Sequence, residues 1–154
     1  MTLNHVVFNE WDKDQDFNYV LKTWLLGTAD NFNRLTPSSR HEFLTILEPK
    51  FKALLNNKDT MVKCVYSDED CIFILSFIVY HMDTIYFIHT KPKYRRSGLC
   101  RGLIALMEEK PRFYIETNMA TKNFKLVKAL NLSFDPTIIF GEKISDKDKA
   151  GLLC

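Results

Sequence analysis

Three apolar segments of strand length follow one another in the middle of the chain, and only short polar turns separate them. They cover residues 60–66, 71–80 and 84–90, and the turns carry the sequences SDED and HMD. The segments are rich in β-branched and aromatic residues, which favour strands. Turns of this length join strands that run in opposite directions. The sequence therefore predicts an antiparallel sheet at the centre of the fold.

A helix with one apolar face is predicted before this sheet. Its apolar residues, from Phe17 to Leu25, recur at the spacing of an α-helix. Asp14 or Asp16 is expected to cap its start, and Gly27 is expected to end it.

A second helix is predicted to begin near Ser39, because Ser39 and Glu42 have the spacing of a capping box. Pro49 lies in the middle of this apolar pattern. Because proline lacks the N–H that a helix interior requires, we expect Pro49 to kink the helix or to split it in two.

Helical and extended segments alternate after the central sheet. Residues 98–109 and 124–130 have helical spacing, whereas residues 112–116 and 134–140 have the character of strands. With a first strand at residues 3–8, the predicted order is β-α-α-β-β-β-α-β-α-β. This order indicates an α/β fold with a mixed, mostly antiparallel sheet flanked by helices. Residues 1–145 are expected to form a single domain, followed by a tail at residues 146–154.

Composition argues against several classes of protein. The chain has 154 residues and a formal net charge of +2, which fits one domain and gives no general reason for nucleic-acid binding. The longest apolar run is much shorter than the roughly 18 residues of a membrane span, and the first residues lack the pattern of a signal peptide. The four cysteines have no metal-ligand spacing. We therefore expect a soluble, cytoplasmic protein with reduced thiols and no membrane partner.

A basic segment stands between the last strand of the central sheet and the next helix. Residues 91–101, KPKYRRSGLCR, contain five positive residues and no acidic one. The first N–H groups of a helix are unpaired and carry partial positive charge, so they can bind phosphate. Gly98 would let a phosphate approach the backbone. The segment is interpreted as an anion site, with a solvated basic loop as the alternative.

Neither the aspartates nor the histidines have the pattern of a metal site. Asp12, Asp14 and Asp16 are spaced like the start of a calcium loop, but Phe17 and Thr23 occupy the positions that need glycine and glutamate. The four histidines lie far apart in the sequence. No metal is therefore predicted.

The basic segment resembles the acetyl-CoA loop of the GNAT N-acetyltransferases. The motif of that family is Gln/Arg-x-x-Gly-x-Gly/Ala; Arg95 fills its first position, Gly98 its fourth and Cys100 its last. The predicted order of elements agrees with the family over most of residues 3–143, and the chain is also similar to small GNAT-like proteins of bacteriophages and bacteria. The resemblance implies a GNAT-like fold and acetyl-CoA or CoA as the cofactor.

The resemblance also implies which residues contact the cofactor. Backbone amides of the loop would hold its pyrophosphate, and the edge of the preceding strand would pair with its pantetheine arm. The strands at residues 84–90 and 112–116 would diverge to open a cleft. The cofactor-binding residues implied in this way are Ile88, Thr90, Arg95, Arg96, Ser97, Gly98, Leu99, Cys100, Arg101 and Asn123. Asn123 is equally suited to cap the following helix.

Attack of an amine on the acetyl thioester requires a general base. Glu116 and His89 end the two strands that are expected to diverge, and Glu116 is the first choice for this base. Family members often carry a C-terminal tyrosine that protonates the leaving thiolate, and this chain has none at the matching position. Tyr86 or Tyr114 would then have to supply the proton.

Three functions are compatible with the sequence. The preferred one is transfer of an acetyl group from acetyl-CoA to a primary amine of unknown identity. The second is a GNAT-like protein without turnover, such as a phage protein that binds a host macromolecule in the host cytoplasm. The third is nucleic-acid binding through the basic loop together with Lys122, Lys125 and Lys128. The oligomeric state is left open.

Overall fold

The computed structural model describes residues 5–30, 36–115, 124–135 and 137 of the chain. Within these residues, six strands and four α-helices follow the predicted order β-α-α-β-β-β-α-β-α-β. The strands are β1 Val7–Glu10, β2 Met61–Tyr66, β3 Ile74–His81, β4 Thr84–Thr90, β5 Phe113–Tyr114 and β6 Ser133–Phe134. The helices are α1 Lys13–Ala29, α2 Pro37–Asn56, α3 Leu99–Ala105 and α4 Phe124–Leu130, and a short 3-10 helix, Pro92–Tyr94, precedes α3. No helix in these ranges is both long enough and apolar enough to cross a membrane.

The strands form one sheet in the order β1-β2-β3-β4-β5-β6. Neighbours from β1 to β4 are antiparallel, whereas β5 runs parallel to β4 and β6 runs parallel to β5. Each parallel connection contains a helix, α3 in the first and α4 in the second, as a crossover between parallel strands requires. The structure thus confirms the predicted mixed, mostly antiparallel sheet flanked by helices.

Each face of the sheet has its own buried cluster. We call the side of α1 and α2 the aromatic face, because stacked rings dominate it. There Trp24 stacks on Phe51 with 4.0 Å between ring centroids, and Phe77 lies 5.7 Å from Phe87. We call the side of α3 and α4 the aliphatic face. Its buried members include Val65, Ile78, Ile85, Ile88, Leu99 and Leu103.

Helix α1 begins earlier than predicted, and its cap is Asp12 rather than Asp14 or Asp16. The Asp12 side chain accepts a hydrogen bond from an amide of the first turn at 3.2 Å. Asp16 is buried instead, and it accepts a 2.6 Å hydrogen bond from the Tyr66 hydroxyl of β2. The prediction was wrong because Asp16 joins the helix to the sheet, a contact that local sequence does not reveal.

Gly27 does not end α1, and Pro49 does not split α2 in two. Helix α1 continues through Gly27, where a Cβ atom would lie only 3.0 Å from Cζ of Phe87. Helix α2 is a single element that includes Pro49. Its N-cap is Thr36, whose side chain accepts a hydrogen bond from the amide of Ser39. Ser39 was the residue predicted to be the cap. Gly27 therefore permits close packing of α1 on the sheet rather than ending the helix.

Other element boundaries differ from the prediction by a few residues. Strand β3 begins after a loop that the Ser67 amide closes by donating to the Phe73 carbonyl at 2.9 Å. Helix α3 ends before residue 109, and the Lys63 amine binds the Leu106 carbonyl just beyond its end at 3.2 Å. The first and last predicted strands extend to residues 3–4 and 138–140, which lie outside the described residues.

Candidate functional site

Among the described residues, strand β4 is paired from Thr84 to Thr90 on one edge but only near its start on the other. Its antiparallel pairing with β3 extends from Thr84 to Thr90. Its parallel pairing with β5 involves only Thr84 and Ile85, and one further hydrogen bond runs from the Ile115 amide to the Ile85 carbonyl at 3.1 Å. Beyond this point no described strand pairs with the second edge of β4. Among the described residues, this second edge of β4 therefore has no strand partner from Tyr86 to Thr90, and we call it the open edge.

A β-bulge determines which backbone groups face the open edge. The register with β3 shifts by one residue, which leaves Tyr86 without a partner in β3. Beyond the bulge, the Lys91 amide donates to a carbonyl at the start of β3 at 2.9 Å. Successive residues of a strand direct their N–H and C=O groups to opposite edges, so Ile88 and Thr90 direct theirs to the open edge. These are the two strand residues predicted to pair with the cofactor.

The basic loop has a left-handed backbone at two positions. The φ angle is +64° at Arg96 and +85° at Gly98, a region that glycine adopts without the strain other residues incur. The Ser97 hydroxyl donates to the Tyr94 carbonyl within the same turn. A Cβ atom at Gly98 would meet nothing within 4 Å. Gly98 thus satisfies the backbone conformation and leaves open space above it.

Helix α3 starts directly after this turn. Gly98 is its N-cap, and the first helical hydrogen bond runs from the Gly102 amide to the Gly98 carbonyl at 3.0 Å. The amides of Leu99, Cys100 and Arg101 come before it, so they have no helical carbonyl to bind. Consecutive free amides next to a left-handed turn form a concave surface that suits an anion.

The side chains of Leu99 and Cys100 pack on the protein rather than facing a ligand. Leu99 is buried on the aliphatic face, and Cys100 packs against the same cluster. Burial raises the pKa of the Cys100 thiol to about 11, although the charge of Arg101 opposes the rise. Cys100 is therefore a neutral packing residue at neutral pH. Among the described residues, no group of His, Cys, Asp and Glu side chains is arranged to hold a metal ion.

The five cations of the basic loop do not all point to one place. The Lys91 amine lies 5.4 Å from the centroid of the Tyr19 ring on α1. The Arg95 Nε donates to the Thr90 carbonyl at 3.1 Å, so that carbonyl already has a partner. In the described part of the chain, none of the five forms an ion pair with a carboxylate. The remaining exposed cations are Lys93, Arg96 and Arg101.

Only one of the two predicted general bases lies within the described residues. His89 is half-buried on the aromatic face, where its ring is 6.2 Å from Phe87 with an interplanar angle of 6° and 5.8 Å from Phe77. This packing gives His89 a structural role, and its role as a base stays a prediction. Glu116 and Asn123 lie outside the described residues, so their roles also stay predictions.

The two tyrosines considered as proton donors lie on opposite faces of the sheet. Tyr114 is on the aliphatic face, and its ring is 5.6 Å from that of Phe134. Tyr86 is on the aromatic face, 6.3 Å from the Trp24 ring. Burial, and then the negative charge of Asp135, raises the pKa of Tyr86 to about 12. Tyr86 directly follows Ile85, the last residue of β4 that pairs with β5.

Asp135 is a candidate residue of the functional site that the sequence did not reveal. Extending the strand registers by one residue places Tyr86, Ile115 and Asp135 in one row across β4, β5 and β6. The Asp135 amide continues the ladder by donating to the Tyr114 carbonyl at 2.8 Å. One carboxylate oxygen, Oδ1, accepts from the amide and the hydroxyl of Thr137 at 3.0 and 2.6 Å. An aspartate after a short strand reads as a turn residue, and only the parallel register brings it to the site.

Comparison with solved structures identifies proteins with the same fold. One is an aminoglycoside acetyltransferase from an uncultured soil metagenomic sample, with a TM-score of 0.51 and 13% identity, over 82% of this chain and 88% of the other. Another is YycN of Bacillus subtilis, assigned to the acetyltransferases, with a TM-score of 0.53 and 12% identity, over 83% and 92% of the two chains. No family model matches the sequence, and no curated protein matches it significantly.

At such low identity the likeness concerns the fold and not the substrates. It agrees with the observed topology, in which an antiparallel meander leads into two parallel crossovers. The chain therefore has the fold of the GNAT acetyltransferases.

Proposed function

We propose that this protein is an N-acetyltransferase that moves an acetyl group from acetyl-CoA to a primary amine. The observation that carries the proposal is the open edge of β4, where Ile88 and Thr90 present backbone groups directly beside the basic loop. The shared fold supports the proposal, because the similar structures include acetyltransferases.

The residues of the site fit a ligand with an extended amide-containing arm and a diphosphate. The amide and carbonyl of Ile88 and the amide of Thr90 are oriented to pair with such an arm as an added strand. The space above Gly98 and the free amides at the start of α3 suit a diphosphate. The exposed guanidinium groups of Arg96 and Arg101 add positive charge for it. When bound, acetyl-CoA supplies a thioester whose acetyl group can be transferred.

Tyr86 is the proposed proton donor to the leaving sulfur. Of the two tyrosines considered, it is the one at the bulge, directly after the last residue of β4 that pairs with β5. This role would compensate for the tyrosine missing from the C-terminal part of the chain. Glu116 and His89 remain the proposed general bases.

Calorimetric titration with acetyl-CoA and with CoA tests the cofactor assignment. The wild-type protein is expected to bind both ligands with micromolar affinity, and Gly98→Glu should abolish binding because it places bulk and negative charge in the anion site. Gly98→Asn separates charge from bulk, since asparagine tolerates a left-handed backbone and adds no charge; it should weaken binding less than Gly98→Glu does. A folded wild-type protein that binds neither ligand would show that the proposal is wrong.

A screen of primary amines for thiol release from acetyl-CoA then tests turnover. The second candidate function, a GNAT-like binding protein without turnover, is favoured by the absence of a tyrosine from α4, FKLVKAL. Binding of acetyl-CoA without thiol release for any amine would support that second function.

Nucleic-acid binding, the third function, would give a different result in binding experiments. Lys125 and Lys128 are exposed on α4, so a nucleic acid held by them and by the loop would dissociate steeply with added salt. Tight oligonucleotide binding that CoA does not displace would support this function in place of acetyl transfer.

A further inference from the structure

Strand β3 contains a fully buried serine, Ser76, that lies directly opposite Thr90 of β4. Beside this pair, the Lys91 amide donates to the Leu75 carbonyl at 2.9 Å. Ser76 and Thr90 therefore form the non-hydrogen-bonded kind of antiparallel pair, in which side chains approach most closely. The same geometry directs the backbone groups of Thr90 to the open edge and brings its side chain to Ser76.

The positions of the two hydroxyl protons follow from their partners. The Ser76 Oγ lies 2.8 Å from the His89 carbonyl oxygen and 2.8 Å from the Thr90 Oγ1. A carbonyl has no proton, so Ser76 donates in the first contact, and a serine has only one hydroxyl proton to give. Thr90 then donates to Ser76 in the second contact. In this arrangement each contact is a hydrogen bond, as expected of buried polar groups.

The Thr90 Oγ1 is thereby left as a hydrogen-bond acceptor. Its proton is directed to Ser76, but a hydroxyl oxygen can still accept through its lone pairs. Thr90 is half-buried, whereas Ser76 has no exposed surface, so a ligand can reach Thr90 and not Ser76. Because side chains alternate along a strand, Thr90 shares the aliphatic face with Ile88, on the side of α3.

We propose that Ser76 is a positioning residue that fixes the Thr90 hydroxyl as the acceptor for an amide N–H of the bound arm. Ser76 does not touch the ligand; it acts by holding the proton of Thr90. A threonine that rotates freely can donate or accept, whereas this one only accepts. The site would thus select an arm with an N–H at this position over an arm with an oxygen there. This inference rests on the proposed function, because the arm is that of acetyl-CoA.

The first experiment observes the hydroxyl protons without any ligand. In an equal mixture of light and heavy water, a hydroxyl that exchanges slowly gives two NMR signals for its Cβ carbon, one for each isotope. In the wild type, two signals are expected for Ser76 and two for Thr90. Thr90→Val should leave both Ser76 signals, because Ser76 still donates to His89. Ser76→Ala should merge the Thr90 signals into one, because the Thr90 proton loses its acceptor.

Ser67→Ala is the matched control, since Ser67 lies in the loop before β3, and it should leave all of these signals as in the wild type. A circular-dichroism spectrum checks that each variant is folded. A single Thr90 signal in the wild type would overturn the proposal, and so would two Thr90 signals in Ser76→Ala.

The second experiment measures ligand selection by calorimetric titration. The ligands are acetyl-CoA and two analogues, in each of which one amide N–H of the arm is replaced by an ester oxygen. For one analogue, the wild type should bind about tenfold more weakly than it binds acetyl-CoA, as loss of one hydrogen bond would cause. In Ser76→Ala this difference should fall to about twofold, because the freed Thr90 hydroxyl can turn and donate to the ester oxygen. The other analogue should be disfavoured equally in both proteins.

The two experiments separate the failure of this inference from the failure of the proposed function. If the wild type does not bind acetyl-CoA, the proposed function is refuted, and the Cβ signals still decide whether Ser76 holds the Thr90 proton. If acetyl-CoA binds but Ser76→Ala changes the relative affinity of neither analogue, this inference is overturned and the proposed function stands.

Discussion

Strand β4 is paired with β3 over its full length and with β5 over two residues. On the β3 side, the ladder is closed and the side chains above it are packed rings with no exposure, such as Phe77. On the β5 side, the ladder of the described residues ends near Ile85, and the backbone groups of Ile88 and Thr90 have no described strand partner. One edge of the strand thus stabilises the fold, and the other carries the proposed binding surface. The comparison predicts that changes on the closed side mainly alter stability, while the open side mainly responds to ligands.

The largest effect is expected from Phe77→Ala on the closed side. The Phe77 ring is fully buried between Tyr19, Phe87 and His89, and its removal should lower the free energy of unfolding by about 3–5 kcal/mol. Urea denaturation measures the change. Phe73→Ala is the control, since Phe73 is 63% exposed in the preceding loop and should change stability by less than about 0.5 kcal/mol. A similar loss of unfolding free energy in both variants would contradict the prediction that changes on the closed side mainly alter stability.

Hydrogen exchange compares the two edges of β4 directly. The amides of Phe87, His89 and Lys91 point to β3, whereas those of Ile88 and Thr90 point to the open edge. We expect the first group to exchange at least about a hundredfold more slowly, a difference of about 2.7 kcal/mol in opening free energy. Saturating acetyl-CoA should slow exchange at Ile88 and Thr90 and leave the first group almost unchanged. Uniform protection along β4 without ligand would show that the second edge is not open.

Gly27→Ala tests how closely α1 must approach β4. Alanine favours a helix by about 1 kcal/mol, but its Cβ would lie 3.0 Å from the Phe87 ring, which its neighbours hold in place. We therefore expect a net loss of about 2 kcal/mol, measured by thermal or urea unfolding. In the control Gly102→Ala, the new Cβ meets the ring of Phe8, which is 39% exposed at the edge strand and can move away. A stabilising Gly27→Ala would mean that the contact with Phe87 is loose.

The smallest effect concerns the pH dependence of stability. The pKa of Tyr86 is raised from 10.0 to about 12 in the folded state, so the folded protein holds this proton more tightly than the unfolded chain. The contribution of this proton to the free energy of unfolding is fully present below pH 10 and is lost as the pH rises towards 12. About 1.4 kcal/mol of it is lost at pH 11. Comparing wild type with Tyr86→Phe isolates it, because other alkaline groups such as Cys64 are common to both. Identical pH curves would place Tyr86 in water rather than beneath Trp24.

Much of the architecture could be predicted because it depends on local patterns. Apolar segments rich in β-branched and aromatic residues, joined by short turns, predicted the meander, and the bounds of β4 and α4 agree with the predicted segments 84–90 and 124–130. The basic loop and the glycine before α3 were also located from the sequence, whereas the left-handed conformation of Gly98 was not predicted. The loop could thus be located before its geometry was known.

The failures concern residues whose roles depend on distant partners. Asp16 reads as a helix cap until Tyr66, fifty positions away, donates to it. Gly27 reads as a helix end until the Phe87 ring occupies the space beside it. Asp135 comes near Tyr86 only through two parallel registers, and nothing in the local sequence encodes those registers.

Helix α3 has only seven residues, too few to be stable alone in water. The sheet holds the segment after it at two points: the Lys63 amine binds the Leu106 carbonyl at 3.2 Å and Glu108 at 3.0 Å, and the Tyr80 hydroxyl donates to Glu108 at 2.9 Å. The conformational entropy of ordering the loop and helix is therefore lost during folding and not when a ligand arrives. Binding of the proposed anion should therefore resemble docking onto a rigid surface, with fast association and little ordering of the chain on binding.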